Sequence, residues 1–123
     1  MFTVTVEATF SAVHRVRLRD GSLEPHHGHD WLVRAHFTRV GLDDNGMVVD
    51  FTEARSALQA AVAQLHHADL NEHAAFTGLN PTAEVVAKHV FDRLKTSGPA
   101  QISRVEVTEA PGWTAIYEPP QQP

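Results

Sequence analysis

Residues 4–14 alternate between apolar and polar side chains with almost no interruption. The apolar positions are Val4, Val6, Ala8, Phe10 and Ala12, and Thr, Glu and Ser residues lie between them. Because successive side chains of a β-strand point to opposite faces, this pattern predicts a strand with one buried face. His14 continues the apolar parity, so its imidazole is expected at the end of the buried face.

Residues 31–40 form a second alternating segment, and they follow a loop signature at Asp20-Gly21-Ser22. Its apolar positions are Trp31, Val33, Ala35 and Phe37. His27 and His29 precede this segment with the same parity, and Gly28 leaves room between them. An antiparallel pair of strands would therefore bring His14 close to His27 and His29.

Three imidazoles on one face are a candidate metal site. A zinc ion that does chemistry usually takes three protein ligands and keeps a fourth position open. His14, His27 and His29 are the predicted zinc ligands. The alternative is a surface loop in a chain with nine His among 123 residues, because short motifs give false positives. The shared parity of the two segments favours the metal site.

Two helices are predicted in the middle of the chain. Asp50 and Glu53 have the spacing of a capping box, and apolar residues then recur at helical spacing over 51–65. Thr82 is the predicted N-cap of a second helix, which ends at Gly98.

Two further strands are predicted near the end of the chain, over residues 102–109 and 113–118, and Pro111-Gly112 joins them as a hairpin. Residues 66–80 show no period and are interpreted as a connecting or functional loop. The order β-β-α-α-β-β indicates an α+β fold with a four-stranded antiparallel sheet and both helices on one face.

The predicted sheet leaves its Thr- and Glu-rich face uncovered and has two open edges. Open edges invite pairing with other strands. Assembly of several copies into a closed barrel is therefore expected.

Length and composition limit the classes of function. With 123 residues, of which 42% are apolar, the chain is expected to form one domain over 1–118 with a disordered tail at 119–123. The net charge of −5 and the scattered basic residues argue against nucleic-acid binding. No apolar run is long enough for a membrane span, and no signal peptide is recognisable, so a cytoplasmic location is expected.

Glu109 falls on the apolar parity of Val105 and Val107. A carboxylate on a buried face is costly unless it has a partner. Either the strand register slips near Pro111 and the side chain reaches solvent, or Glu109 is a floor carboxylate that accepts hydrogen bonds from a guanine-like or pterin ring.

With these residues identified, the chain resembles the family of 6-pyruvoyl-tetrahydropterin and 6-carboxytetrahydropterin synthases. The matching blocks, in the family's order, are Phe10-Ser11-Ala12-Val13-His14, His27-Gly28-His29, Gly46-Met47-Val48-Val49-Asp50-Phe51, Leu70-Asn71, Pro81-Thr82-Ala83-Glu84 and Glu109. The resemblance implies the tunnelling fold (T-fold), a homohexamer of two trimeric rings and zinc on the three histidines. It also implies a pterin triphosphate bound at a subunit interface, with Glu109 holding the ring and Thr82 and Glu84 among the substrate-binding residues.

One departure from the family pattern concerns the catalytic cysteine. The family usually has this residue a few positions before the His-Gly-His segment, whereas this chain has no cysteine at all. Glu24 lies three residues before His27. A variant of the family is similar in having Glu near this position, and its activity is side-chain cleavage to 6-hydroxymethyl-dihydropterin. Glu24 is therefore the predicted catalytic acid–base residue.

A second departure concerns the family's proton relay. Residues 65–71 match the relay block, and His67 corresponds to the relay histidine. His66 stands where the family has aspartate, so Asp69 is the candidate that orients His67 in its place. The alternative is that His66 and His67 are solvated loop residues.

Two classes of function follow. The first is a zinc-dependent lyase acting on 7,8-dihydroneopterin triphosphate, in which Glu24 and His67 move protons and the product is either 6-hydroxymethyl-dihydropterin or 6-carboxytetrahydropterin. The second is a non-catalytic pterin- or purine-binding protein that retains the zinc site.

Overall fold

A computed structural model describes residues 1–121 of the chain. Its elements are β1 (Phe2–His14), β2 (His27–Arg39), α1 (Phe51–Ala63), a 3-10 turn (Ala74–Phe76), α2 (Ala83–Ser97), β3 (Ile102–Ala110) and β4 (Trp113–Tyr117). This order confirms the predicted β-β-α-α-β-β arrangement. The last two positions of the tail predicted at 119–123 lie outside the described residues. Within residues 1–121, no helix is long and apolar enough to cross a membrane.

The four strands form one antiparallel sheet in the order β1-β2-β3-β4. β2 begins at His27, earlier than the predicted start at 31, so His27 and His29 are themselves strand residues. In the register of β1 with β2, His14 lies opposite His27, and Ala12 lies opposite His29. The three histidines are therefore neighbours at one end of the sheet, on the same face.

Both helices cover that face and bury the apolar side chains predicted from the alternation. Trp31, Val33, Ala35 and Phe37 of β2 are completely buried. The helices add Ala54, Leu58, Ala61 and Val62 from α1 and Ala83, Val86, Ala87, Val90, Phe91 and Leu94 from α2. The core therefore lies between the sheet and the helices.

The ends of the helices differ in detail from the prediction. α1 ends at Ala63 rather than 65, because the chain turns there and the His67 N–H donates to the Ser11 carbonyl of β1. Asp50 caps α1 by accepting the N–H of Thr52, not that of Glu53 as a capping box requires. The Thr82 hydroxyl accepts the N–H of Val85, which confirms Thr82 as the cap of α2.

The opposite face of the sheet carries charged side chains. Arg34 lies 3.4 Å from Glu7 and 3.8 Å from Glu106, measured between nitrogen and carboxylate oxygen. His36 Nε2 lies 3.2 Å from Glu106. Burial lowers the pKa of His36, with Arg104 adding to the effect and Glu106 opposing it. This face is polar as expected. The edge strands of the sheet are β1 and β4.

Candidate metal centre and adjoining cavities

Four side chains converge at the end of the sheet and form a cluster that could hold a metal ion. One ligand atom from each of His14, His27, His29 and Glu109 lies within 4.8 Å of the others. His14 is buried, and the other three are partly buried. Trp31 packs edge-on against the rings of His14 and His29, with centroid distances of 4.8 and 5.7 Å. The cluster therefore rests on the hydrophobic core.

Backbone carbonyls fix the orientation of two of the imidazoles. His14 Nδ1–H donates to the carbonyl of Pro81, and His27 Nδ1–H donates to the carbonyl of Pro25, each at 2.8 Å. In the neutral rings, Nε2 then carries a lone pair directed toward the cluster. A hydrogen bond from the distal nitrogen is the usual way in which proteins orient a metal-binding histidine.

The donor atoms of the cluster fit a metal cation. His14 Nε2 lies 2.8 Å from Glu109 Oε1. Two donor atoms this close together can bind the same cation. His29 Nε2 is buried and lies 3.2 Å from Glu109 Oε1, outside strict hydrogen-bond geometry. Three imidazoles and a nearby carboxylate are ligands that suit zinc.

Burial lowers the pKa of His29, while the carboxylate of Glu109 opposes this effect. Glu109 Oε1 is 3.2 Å from His29 Nε2 and 3.9 Å from His27 Nε2. Burial therefore favours the neutral imidazole, which is the form that binds metal.

Glu109 reaches the cluster from the end of β3. The register of β3 with β4 shifts between Thr108 and Ala110, and such irregularities often redirect a side chain next to an active site. The Glu109 side chain is 20% exposed and points to the histidines. A register slip near Pro111 was one of the two predicted alternatives, but the side chain faces the histidines and not solvent. Its proximity to the metal ligands was not predicted, because parity alone does not identify the distant residues that a side chain reaches.

Glu24 lies beside the cluster. Its Oε1 accepts the N–H of Val16 at 2.9 Å and lies 3.6 Å from His27 Nε2. The Glu24 N–H in turn donates to the Val16 carbonyl. The side chain is only 25% exposed, so Glu24 is held toward the histidines and is not a freely solvated loop residue.

A cavity of about 400 Å³ adjoins the cluster on the side of α2 and β4. Glu84, Glu109 and Trp113 all line it. We call this cavity the hairpin cavity. It brings together both carboxylates that were predicted to bind substrate, Glu84 and Glu109. Thr82 lies two residues before Glu84, and its hydroxyl oxygen caps α2.

His66, His67 and Asp69 lie elsewhere, at the edge of β1. His67 and Asp69 line a second cavity of about 560 Å³, together with Ser11 and Asp30. His66 Nδ1 accepts the N–H of Ser11, and the rings of His66 and His67 stack with a centroid distance of 3.7 Å. The structure thus holds these residues in an ordered arrangement, and His29 of the metal cluster lines the same cavity.

Asp69 contacts a residue that the sequence analysis did not single out. Its Oδ2 lies 3.1 Å from His26 Nε2, and its Oδ1 accepts the N–H of Asn71. In this structure the Asp69 carboxylate is directed to His26, and its predicted role in orienting His67 stays a prediction. No sequence pattern could have revealed this pair, since it depends on how the loop folds against β1. His67 has a φ of 63°, an unusual conformation that is often found at functional sites.

The family model described as 6-pyruvoyl tetrahydropterin synthase matches residues 3–120. A putative 6-carboxy-5,6,7,8-tetrahydropterin synthase of Archaeoglobus fulgidus is 29% identical over 108 residues, which cover 86% of each chain. The 6-carboxy-5,6,7,8-tetrahydropterin synthase of Bacillus subtilis is 27% identical over 128 residues, covering 96% of this chain and 86% of that one.

A solved structure has the same fold as this chain. The 6-pyruvoyl tetrahydropterin synthase of Caenorhabditis elegans superimposes with a TM-score of 0.78 and 25% sequence identity, covering 98% of each chain. The architecture is therefore the T-fold that the resemblance implied.

Proposed function

Because the chain belongs to the 6-pyruvoyl tetrahydropterin synthase family, we propose that it is a zinc-dependent lyase acting on the side chain of 7,8-dihydroneopterin triphosphate. The main support for this proposal is the cluster of His14, His27 and His29 beside the hairpin cavity. Glu109 is part of the cluster and also lines the cavity. The names of the relatives support a pterin as the class of substrate.

Zinc would be held by His14, His27 and His29. When bound, zinc supplies Lewis-acid polarisation of the oxygen atoms on the substrate side chain. The protein contributes the fixed orientation of the ligands, since the carbonyls of Pro25 and Pro81 hold two of the rings.

The hairpin cavity would receive the pterin ring. A pterin carries several N–H groups along one edge, and the carboxylates of Glu84 and Glu109 are hydrogen-bond acceptors. Hydrogen bonds to an ionised acceptor are stronger than those between neutral groups. Thr82 lies in the same turn as Glu84. Its hydroxyl group can donate a hydrogen bond to a ring oxygen while its oxygen accepts the Val85 N–H at the cap of α2.

Glu24 would move a proton at the substrate side chain. Its carboxylate is positioned by the Val16 N–H and lies next to His27, so it faces the place where the side chain of a bound pterin would end. His67 is the second candidate, acting from the β1-edge cavity together with His66 and Asp69. General acid–base groups must be within reach of the reacting proton, and Glu24 is the nearer of the two to the cluster.

The product depends on how the side chain is cleaved. Glu24 in place of the family's cysteine favours 6-hydroxymethyl-dihydropterin. The names of the bacterial and archaeal relatives favour 6-carboxytetrahydropterin. Both products come from the same substrate, and their masses differ.

Turnover is the direct test of this proposal. Purified zinc-loaded protein is incubated with 7,8-dihydroneopterin triphosphate, and the products are identified by mass spectrometry. We expect consumption of the substrate and a product with one of the two masses. A chelator-treated sample of the same protein is the control, and equal turnover in both samples would contradict zinc dependence.

A non-catalytic pterin- or purine-binding protein is the second candidate. Two observations favour it: the chain has no cysteine, and His66 replaces the relay aspartate. Binding of pterin by the zinc-loaded protein without any turnover would establish this second function in place of the first.

A further inference from the structure

Trp113 is 71% exposed, although tryptophan gains more than most residues from burial. It is the first residue of β4 and follows a tight turn in which Gly112 has a φ of +88°. Trp113 has the same parity as Ala115 and Tyr117, which pack against the core on the side of α2. The indole therefore lies on the helix side of the sheet, at the end where the metal cluster is found.

The surroundings of Trp113 identify what its exposed ring could contact. Trp113, Glu84 and Glu109 line the same hairpin cavity, whose volume of about 400 Å³ suits a small ligand. A flat apolar surface beside two carboxylates complements a flat heteroaromatic ring with N–H groups on its edge. Aromatic side chains stack on such rings because every heteroaromatic base offers a π-face.

We propose that Trp113 is a ring-stacking residue, with its indole against the face of the pterin while Glu84 and Glu109 accept hydrogen bonds from the ring edge. This inference rests on the proposed function and adds a residue to its substrate site.

A second copy of the chain is the competing occupant, because β4 is an edge strand with another exposed apolar residue. Ile116 is 57% exposed and lines the same cavity as Trp113. Trp113 shares its cavity with two carboxylates, which favours a small polar ligand over an apolar protein surface.

Binding of the bare pterin ring, 2-amino-4-oxopteridine, measures the ring contacts without those of the substrate side chain. Calorimetric titration compares the wild-type protein with the W113A and W113F variants. We expect W113A to bind pterin about tenfold more weakly or worse, from the usual strength of base–aromatic stacking, whereas W113F retains most of the affinity.

Phe51→Ala is the matched control. Phe51 is also an exposed aromatic residue, at 63%, but it begins α1 and is not among the residues that line the hairpin cavity. F51A is therefore expected to bind pterin as the wild type does.

The outcomes separate this inference from the proposed function. If the wild type binds pterin and W113A binds it equally well, the stacking role is wrong while the proposed function stands. If W113A weakens binding and light scattering shows that its assembly has also broken down, Trp113 is an interface residue and the inference is again overturned. If the wild type binds no pterin, the proposed function fails and the inference fails with it.

Discussion

The three histidines differ in how tightly the chain holds them. His14 is buried, donates to the Pro81 carbonyl and packs against Trp31. His29 Nε2 is buried and lies 3.2 Å from Glu109 Oε1, outside strict hydrogen-bond geometry. A bound cation would give this nitrogen a partner. At the scale of single residues, the arrangement is therefore preorganised for a ligand.

Glu24 is the residue on which the proposed acid–base chemistry depends. Glu24→Gln keeps the size of the side chain and an oxygen that can accept the Val16 N–H, but it removes the group that carries the proton. We expect kcat to fall roughly a hundredfold or more, while zinc content and pterin affinity stay unchanged. Steady-state kinetics of the purified variant, together with metal analysis, measure this.

Glu118→Gln is the control for that variant, because Glu118 is exposed beyond β4 and has no contact with the cluster. Undiminished turnover in the Glu24 variant would eliminate Glu24 as the catalytic group. His67 would then be the remaining candidate.

At the scale of elements, alternation was enough to predict the strands that position the metal ligands. β1 and β2 each have one buried face, so the parity of His14, His27 and His29 followed from the apolar residues next to them. The antiparallel pairing then placed His14 opposite His27. These features depend on short-range sequence patterns, which is why they could be predicted.

The loop at 66–80 could not be predicted, because contacts with distant strands determine its shape. Val13 N–H donates to the Ala68 carbonyl, and Leu70 N–H donates to the Val13 carbonyl. The loop therefore extends the sheet locally at the edge of β1. No periodicity within the loop indicates this pairing, and the partner of Asp69 was missed for the same reason.

The edges of the sheet lead to a prediction about assembly. Over most of their length, β1 and β4 have no strand paired to their outer edges within residues 1–121, and the face opposite the helices is charged. We propose that six copies associate and that the edges pair between copies, which would also place the hairpin cavity at a subunit interface.

Multi-angle light scattering at micromolar concentration tests this assembly. The expected mass is near six times the 13.6 kDa of one chain. A stable species with the mass of a single chain would contradict both the hexamer and a substrate site formed between subunits.

At the scale of the whole molecule, the site draws on most of the fold. The metal ligands come from β1 and β2, Glu109 from the end of β3, and Glu84 from the first turn of α2. The sequence could suggest each of these residues, by parity or by family resemblance. The structure was needed to show that Glu109 joins the metal cluster to the hairpin cavity.

Zinc content tests the proposed metal site. Wild-type protein purified with zinc and freed of excess metal is analysed by inductively coupled plasma mass spectrometry, and we expect one zinc ion per chain. His14→Ala, His27→Ala and His29→Ala should each lose most of the metal. His73→Ala is the control, since His73 caps the 3-10 turn outside the cluster and its loss should leave zinc in place. Wild-type protein without zinc, or full zinc content in all three ligand variants, would contradict the account.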